Sequence, residues 1–128
     1  MRVFQNKAFG RFAKKFSVSD DVLCQAIRNA ERGLIGANLG SGVIKQRIAR
    51  SGMGKSGGLR AIIVFRASSR AIFVHGFAKN DKDNIDKHEL VALKKLAVEL
   101  LACDDEAIAR LVVSQTLTEM TCDEKAIS

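Results

Sequence analysis

Leu59-Arg60-Ala61-Ile62-Ile63-Val64-Phe65, followed across Arg66-Ala67-Ser68-Ser69-Arg70 by Ala71-Ile72-Phe73-Val74-His75-Gly76-Phe77-Ala78, decides the fold. The first run is apolar at odd and even positions alike. Successive side chains on a strand point to opposite faces, so this is the pattern of a central strand. Residues 66–70 reverse the chain, and the second run is its antiparallel partner. That reading puts His75 on one strand face with Phe73, Phe77 and Lys79. Upstream, from Ala37 to Ala49, the period is two: Val43, Lys45 and Arg47 share one face, Ile44 and Ile48 the other. The basic pair then faces outward. Ser51-Gly52-Met53-Gly54-Lys55-Ser56-Gly57-Gly58 is a turn or loop by composition. The result is an antiparallel meander of about three strands, with Arg2-Val3-Phe4 as a fourth, N-terminal edge strand.

Helical periods flank this sheet. Asn6 stands as an N-cap before Ala8, Phe9, Phe12, Ala13 and Phe16, which predicts a helix over residues 7–15. Ser19 caps a second helix whose apolar positions are Val22, Leu23, Ala26, Ile27 and Ala30; Asp20 and Asp21 suit its dipole, and it stops near Gly33. A short connection makes these two an α-hairpin. Downstream, Asp86 and Glu89 form a capping signature ahead of Leu90, Leu93, Leu96, Ala97, Leu100 and Leu101, and Asp104-Asp105-Glu106 opens another helix. The order is α-hairpin, antiparallel sheet, helices: an α+β domain over 1–118, with a frayed or extended tail over 119–128.

The 128 residues fit one domain, and 47% apolar with 27% charged residues is the balance of a globular chain. Net charge is +7, but residues 1–85 hold 16 Lys/Arg against 5 Asp/Glu while residues 86–128 hold 5 against 9, so the cationic pole lies in the first two thirds. It is densest between Lys45 and Lys82, where nine basic residues (Lys45, Arg47, Arg50, Lys55, Arg60, Arg66, Arg70, Lys79 and Lys82) face one carboxylate, Asp81. Cations spaced along a sheet neutralise successive phosphates and release their counterions, the effect that contributes most to nucleic-acid affinity. Cys24, Cys103 and Cys122 are odd in number and lack C-x-x-C spacing, which argues against a disulfide framework or zinc site and for reduced thiols. No run of 18 apolar residues and no signal peptide is present, so the expected compartment is the cytoplasm and no membrane partner is implied.

Gly54-Lys55-Ser56 resembles the end of a P-loop, but that motif needs Gly where Ala49 stands and a helix where LRAIIVF follows. What remains is a Gly-rich loop able to form an anion nest, with Lys55 adding charge. Arg60 is better placed. At the mouth of an apolar strand a guanidinium grips a phosphate bidentately with little competition from water, and hairpin closure around 66–70 brings Lys79 beside it. His75 reads as a hydrogen-bonded strand residue, and His88 as surface. No Ser-His-Asp or Cys-His set can be assembled, so the working groups are cations and no metal or other cofactor is called for.

The block RIARSGMGKSGGLRAIIVF (47–65), then IFVHGFAKNDKDNID (72–86) and ELVALKKLAVELL (89–101), preceded by the α-hairpin, resembles the RelE/ParE superfamily of bacterial toxin–antitoxin toxins, and within it the HigB-like RelE toxins. The resemblance spans residues 2–115. It implies an mRNA interferase: a metal-independent endoribonuclease that cuts messenger RNA on the ribosome, leaves 2′,3′-cyclic phosphate ends, and is held inactive by a cognate antitoxin, often of helix-turn-helix type. By position, Arg60 matches the arginine opening the family's central strand and Lys79 the basic group after the last strand. With Lys55, from the loop, they form the implied catalytic set. Lys45, Arg47, Arg50, Arg66, Phe77 and Lys82 form the implied RNA-binding set. The chain departs from better-known relatives in having no Tyr; Phe77 can stack on a base but cannot transfer a proton. Two other functions fit the scaffold: a ParE-like DNA gyrase inhibitor, and an RNA-binding regulatory module without activity.

Overall fold

The computed structural model describes residues 1–49, 58–79 and 85–122. In chain order these form β1 (Arg2–Asn6), α1 (Lys7–Lys15), α2 (Asp20–Glu31), β2 (Ala37–Gly40), β3 (Val43–Ile48), β4 (Leu59–Arg66), β5 (Arg70–Ala78), α3 (Lys87–Ala102), α4 (Asp105–Val113) and β6 (Leu117–Met120). The strands make one six-stranded sheet in the order β2-β3-β4-β5-β1-β6. The α+β class holds, with more strands than the three or four expected.

The helices start where local chemistry starts them. Asn6 Oδ1 accepts from the Phe9 N–H at 2.8 Å, Ser19 Oγ from Val22 at 3.3 Å, and Asp104 Oδ1 from Ala107 at 2.8 Å. Asp86 and Glu89 close a capping box: Asp86 Oδ1 accepts from Glu89 N at 2.8 Å and Glu89 Oε1 from Asp86 N at 3.4 Å.

The sheet carries a core on each face. Phe9, Ala13, Leu23, Ala26 and Ile27 of α1 and α2 pack with Val3, Ile44, Ile48, Ala61, Ile63 and Phe73 on one side. Ala97, Leu100 and Ile108 of α3 and α4 pack with Phe4, Val43, Ile62, Val64, Ile72 and Phe77 on the other. Gln46, buried on the α2 side, accepts from Gly36 N at 2.8 Å and donates to the carbonyls of Ala26 and Leu34 at 3.0 and 3.1 Å, tying α2 and the chain after it to β3.

Four expectations change. The N-terminal strand is internal: β1 runs parallel to β5 on one side and antiparallel to β6 on the other, which pairs the backbone of a strand whose Val3 and Phe4 are buried under helices on opposite faces. The period-two stretch from Ala37 is two strands, broken at Ser41 and Gly42, whose φ angles of 56° and 78° make the turn. The tail expected from 119 is in part a strand, since β6 crosses the boundary at 118; Leu117 and Met120 are buried and the Arg2 guanidinium binds Glu119 through Nε and Nη2 at 2.9 and 3.0 Å. Finally, Cys24 and Cys122 are joined in a disulfide rather than reduced, with Cα atoms 5.6 Å apart, and Cys103 is the free thiol. No helix among the described residues is long and apolar enough to cross a membrane.

Candidate nucleic-acid interface

A bulge in β5 decides which side chains share a surface. Along the β4–β5 ladder Ile62 opposes His75 while Ile63 opposes Phe73, which leaves Val74 as an extra residue. Phe73 therefore lies on the α1 side, its ring 4.8 Å from that of Phe9, whereas Val74 and Phe77 join the α3-side core. His75 is on the α3 side too, its Nε2 3.5 Å from Glu89 Oε2 of α3. The expected sharing of a face by Phe73 and His75 is corrected: an inserted residue resets the alternation. Asn6 Nδ2 donates to the Val74 carbonyl at 3.1 Å, so the cap of α1 also holds the bulge.

With that parity, the α3-side face reads as rows across β3, β4 and β5. Val43, Val64 and Ile72 form an apolar row beneath the C-terminal half of α3. Next come Lys45, Ile62 and His75, and beyond them Arg47, Arg60 and Phe77. The Lys79 N–H donates to the Gly58 carbonyl at 3.2 Å, and the alternation along β5 sets Lys79 on this same face, one diagonal step from Arg60. Passing along the strands, the surface thus changes from apolar to cationic.

Arg60 is the partly sheltered member. Its Nη1 donates to the Leu59 carbonyl at 3.2 Å, and burial, with Arg47 as second cause, holds its guanidinium below its ordinary pKa. The side chain remains a cation, as Arg always does, but one whose charge is under-compensated. An anionic oxygen between Arg47 and Arg60 offsets both the burial and the repulsion, and a phosphodiester provides two such oxygens.

Among the other residues singled out, Phe77 is only 6% exposed and floors the row instead of offering a ring face to a base. Arg66 stands at the far end of β4 opposite Arg70, separated from Arg60 by nearly the length of the strand. Arg70 points its guanidinium at the Leu100 and Cys103 carbonyls, both at 2.8 Å, and is a structural cation. Arg50, Lys55 and Lys82 lie outside the described residues. No residue of α1 stood among the expected site residues; on the α1 face, opposite Arg60 and Lys79, a separate groove of about 390 Å³ runs between Arg11, Phe12, Lys15 and Phe16 of α1 and the Gly76–Ala78 end of β5 and carries two cations of its own. The signal was available in Arg11 and Lys15 falling on the same helix face. Among the described residues no group of three or more His, Cys, Asp or Glu is gathered to hold a metal.

Comparison with protein families finds that residues 1–120 match the model of the RelE toxin of RelE/RelB toxin–antitoxin systems. A search of curated proteins finds no match.

Proposed function

The chain belongs to the RelE family, the toxins of toxin–antitoxin systems, and on that premise we propose that it is a ribosome-dependent endonuclease of messenger RNA. The observation that carries the reading is the row Arg47-Arg60 with Lys45 and Lys79 on the same sheet face, a surface suited to a phosphodiester. The Gly54-Lys55-Ser56-Gly57-Gly58-Leu59-Arg60 block favours the HigB-like branch and a helix-turn-helix antitoxin, and the compartment is the cytoplasm, where ribosomes are.

In this reaction the ribose 2′-OH attacks the adjacent phosphorus, the 5′-oxygen leaves, and a 2′,3′-cyclic phosphate and a 5′-OH result. Charge accumulates on the equatorial oxygens as the bonds exchange. Arg60 grips those oxygens, Arg47 shares them, and Lys79, one diagonal step away on the same face, adds a third cation. Lys45 holds a flanking phosphate, and Lys55, Arg50 and Lys82, adjoining in sequence, add further cations. No metal is needed where fixed cations supply the charge.

The test is short induction followed by mapping of messenger 5′ ends, with purified ribosomes present and absent. New ends that require ribosomes, and their loss with relief of growth arrest in a folded Arg60→Ala variant, are the expected result. An SOS response with intact messages makes the protein a gyrase inhibitor, and undiminished cleavage by Arg60→Ala removes that residue from the site.

A further inference from the structure

We propose that Cys24 and Cys122 form a thiol–disulfide switch that fastens the C-terminal strand and thereby sets how long the folded toxin lasts. The inference is independent of the nuclease reading. The bond joins the middle of α2 to the residue two beyond β6, across 98 residues of sequence. Among the described residues the other attachments of β6 are modest: a four-residue ladder to β1, two buried side chains and a half-exposed Arg2–Glu119 pair. A cross-link closing so long a loop restricts the unfolded chain strongly, so its presence or absence changes the stability of the attachment by a large factor.

The pair is also placed for exchange. Both cysteines line a cavity of about 310 Å³ on the α2 side, bordered by Met1, Val3, Ile27, Arg28, Glu31 and Arg32, away from the cationic rows. Cys24 is buried while Cys122 is partly exposed, so an entering thiolate meets the Cys122 sulfur and Cys24 departs as the thiolate. Arg28, one helical turn along α2 from Cys24, supplies positive charge where that leaving thiolate forms. A second equivalent of thiol then attacks the mixed disulfide on Cys122. The sum is one protein disulfide and two low-molecular-weight thiols giving two protein thiols and one small disulfide, a transfer of two electrons and two protons.

The full-length toxin is equilibrated in glutathione buffers spanning reducing to oxidising ratios, quenched with acid, alkylated and resolved by mass, with amide hydrogen exchange measured on the same samples. Cys103 is expected to alkylate throughout, and Cys24 and Cys122 to alkylate together only toward the reducing end. Reduction is expected to speed exchange about tenfold or more at the β6 amides that bond to β1, leave β4 unchanged under native conditions, and lower the melting temperature by roughly 10 °C. Cys122→Ser should reproduce the reduced pattern in every buffer; should that variant fold poorly, the wild-type titration decides alone. The proposal is overturned if the two thiols alkylate under all buffers, if they resist every glutathione ratio, or if reduction leaves β6 exchange and melting unchanged.

Discussion

Replacing Arg70 by Met tests whether this cation belongs to the frame or to the interface. Arg70 is 8% exposed, and its Nη1 donates to the carbonyls of Leu100 and Cys103, each at 2.8 Å. Those oxygens end α3, where the helix has no partner for them, and α3 has no basic residue in its own last turn. The strand therefore supplies the charge that the helix C-terminus lacks. Hydrogen bonds from a charged donor contribute about 1.5–3 kcal/mol each, but the Cys103 acceptor is only part-buried and turns to water when its donor is removed, so the loss is less than the sum. Its 3.7 Å approach to Asp105 adds little, because that carboxylate is 91% exposed. Methionine keeps most of the packing and strands the buried Leu100 carbonyl. The expected loss is about 3 kcal/mol, set against a total of about 5–15 for a domain. In urea, with the disulfide intact and a slope of about 1.5 kcal/mol per molar, the midpoint falls by about 2 M at unchanged slope. Growth arrest at low temperature should persist, since Arg70 opposes Arg66 at the strand end remote from Arg60. A midpoint shift under about 0.3 M refutes the capping role; loss of arrest in a well-folded variant refutes the separation of frame from interface.

A Cβ on Gly76 runs into the Phe12 ring, so Gly76→Ala should destabilise by about 1–3 kcal/mol, and by clearly less in a Phe12→Ala background; additive losses in the double-mutant cycle count against the contact. Hydrogen bonding by Arg2, ahead of the opposing effect of burial, holds Glu119 below the usual carboxylate pKa. Its contribution is therefore present above the unfolded carboxylate range and disappears as pH falls through the lowered folded value. The side chains are 45% and 37% exposed, so Glu119→Gln should lose only about 0.5 kcal/mol near neutrality and nothing in strong acid; a stability gap that does not close in acid contradicts the pairing.

What was legible in the sequence was local. Asn6, Ser19, Asp86 and Asp104 cap helices through N–H groups within three residues, and β4 and β5 are neighbours across a short reversal. The partnership of β1 with β5 and β6 rests on pairs separated by 68 residues or more, and Leu117-Thr118-Glu119-Met120 is too short to declare itself. The Cys24–Cys122 bond has no spacing signature for the same reason. Charge density near Arg60 was readable, but not which cations it included: Arg66 and Arg70 carry the same charge as Arg60 and are sent elsewhere by strand position and by a helix end.

The face on which Lys79 emerges depends on one inserted residue. Hairpin closure sets Arg60 and Lys79 near each other along the ladder, yet adjacency alone does not choose a side of the sheet. Counted from Phe73 without Val74 as an extra residue, the alternation would carry Phe77 and Lys79 to the α1 side and leave Arg60 facing Gly76 and Ala78 across the hairpin. With the bulge, Gly76 turns to α1, where only a residue without a side chain admits the Phe12 ring, and Lys79 turns to Arg60. Asn6 joins the two outcomes, because its side-chain oxygen caps α1 while its amide donates to Val74 at the bulge. The docking of an N-terminal helix and the gathering of cations on the opposite face are thus consequences of the same register shift.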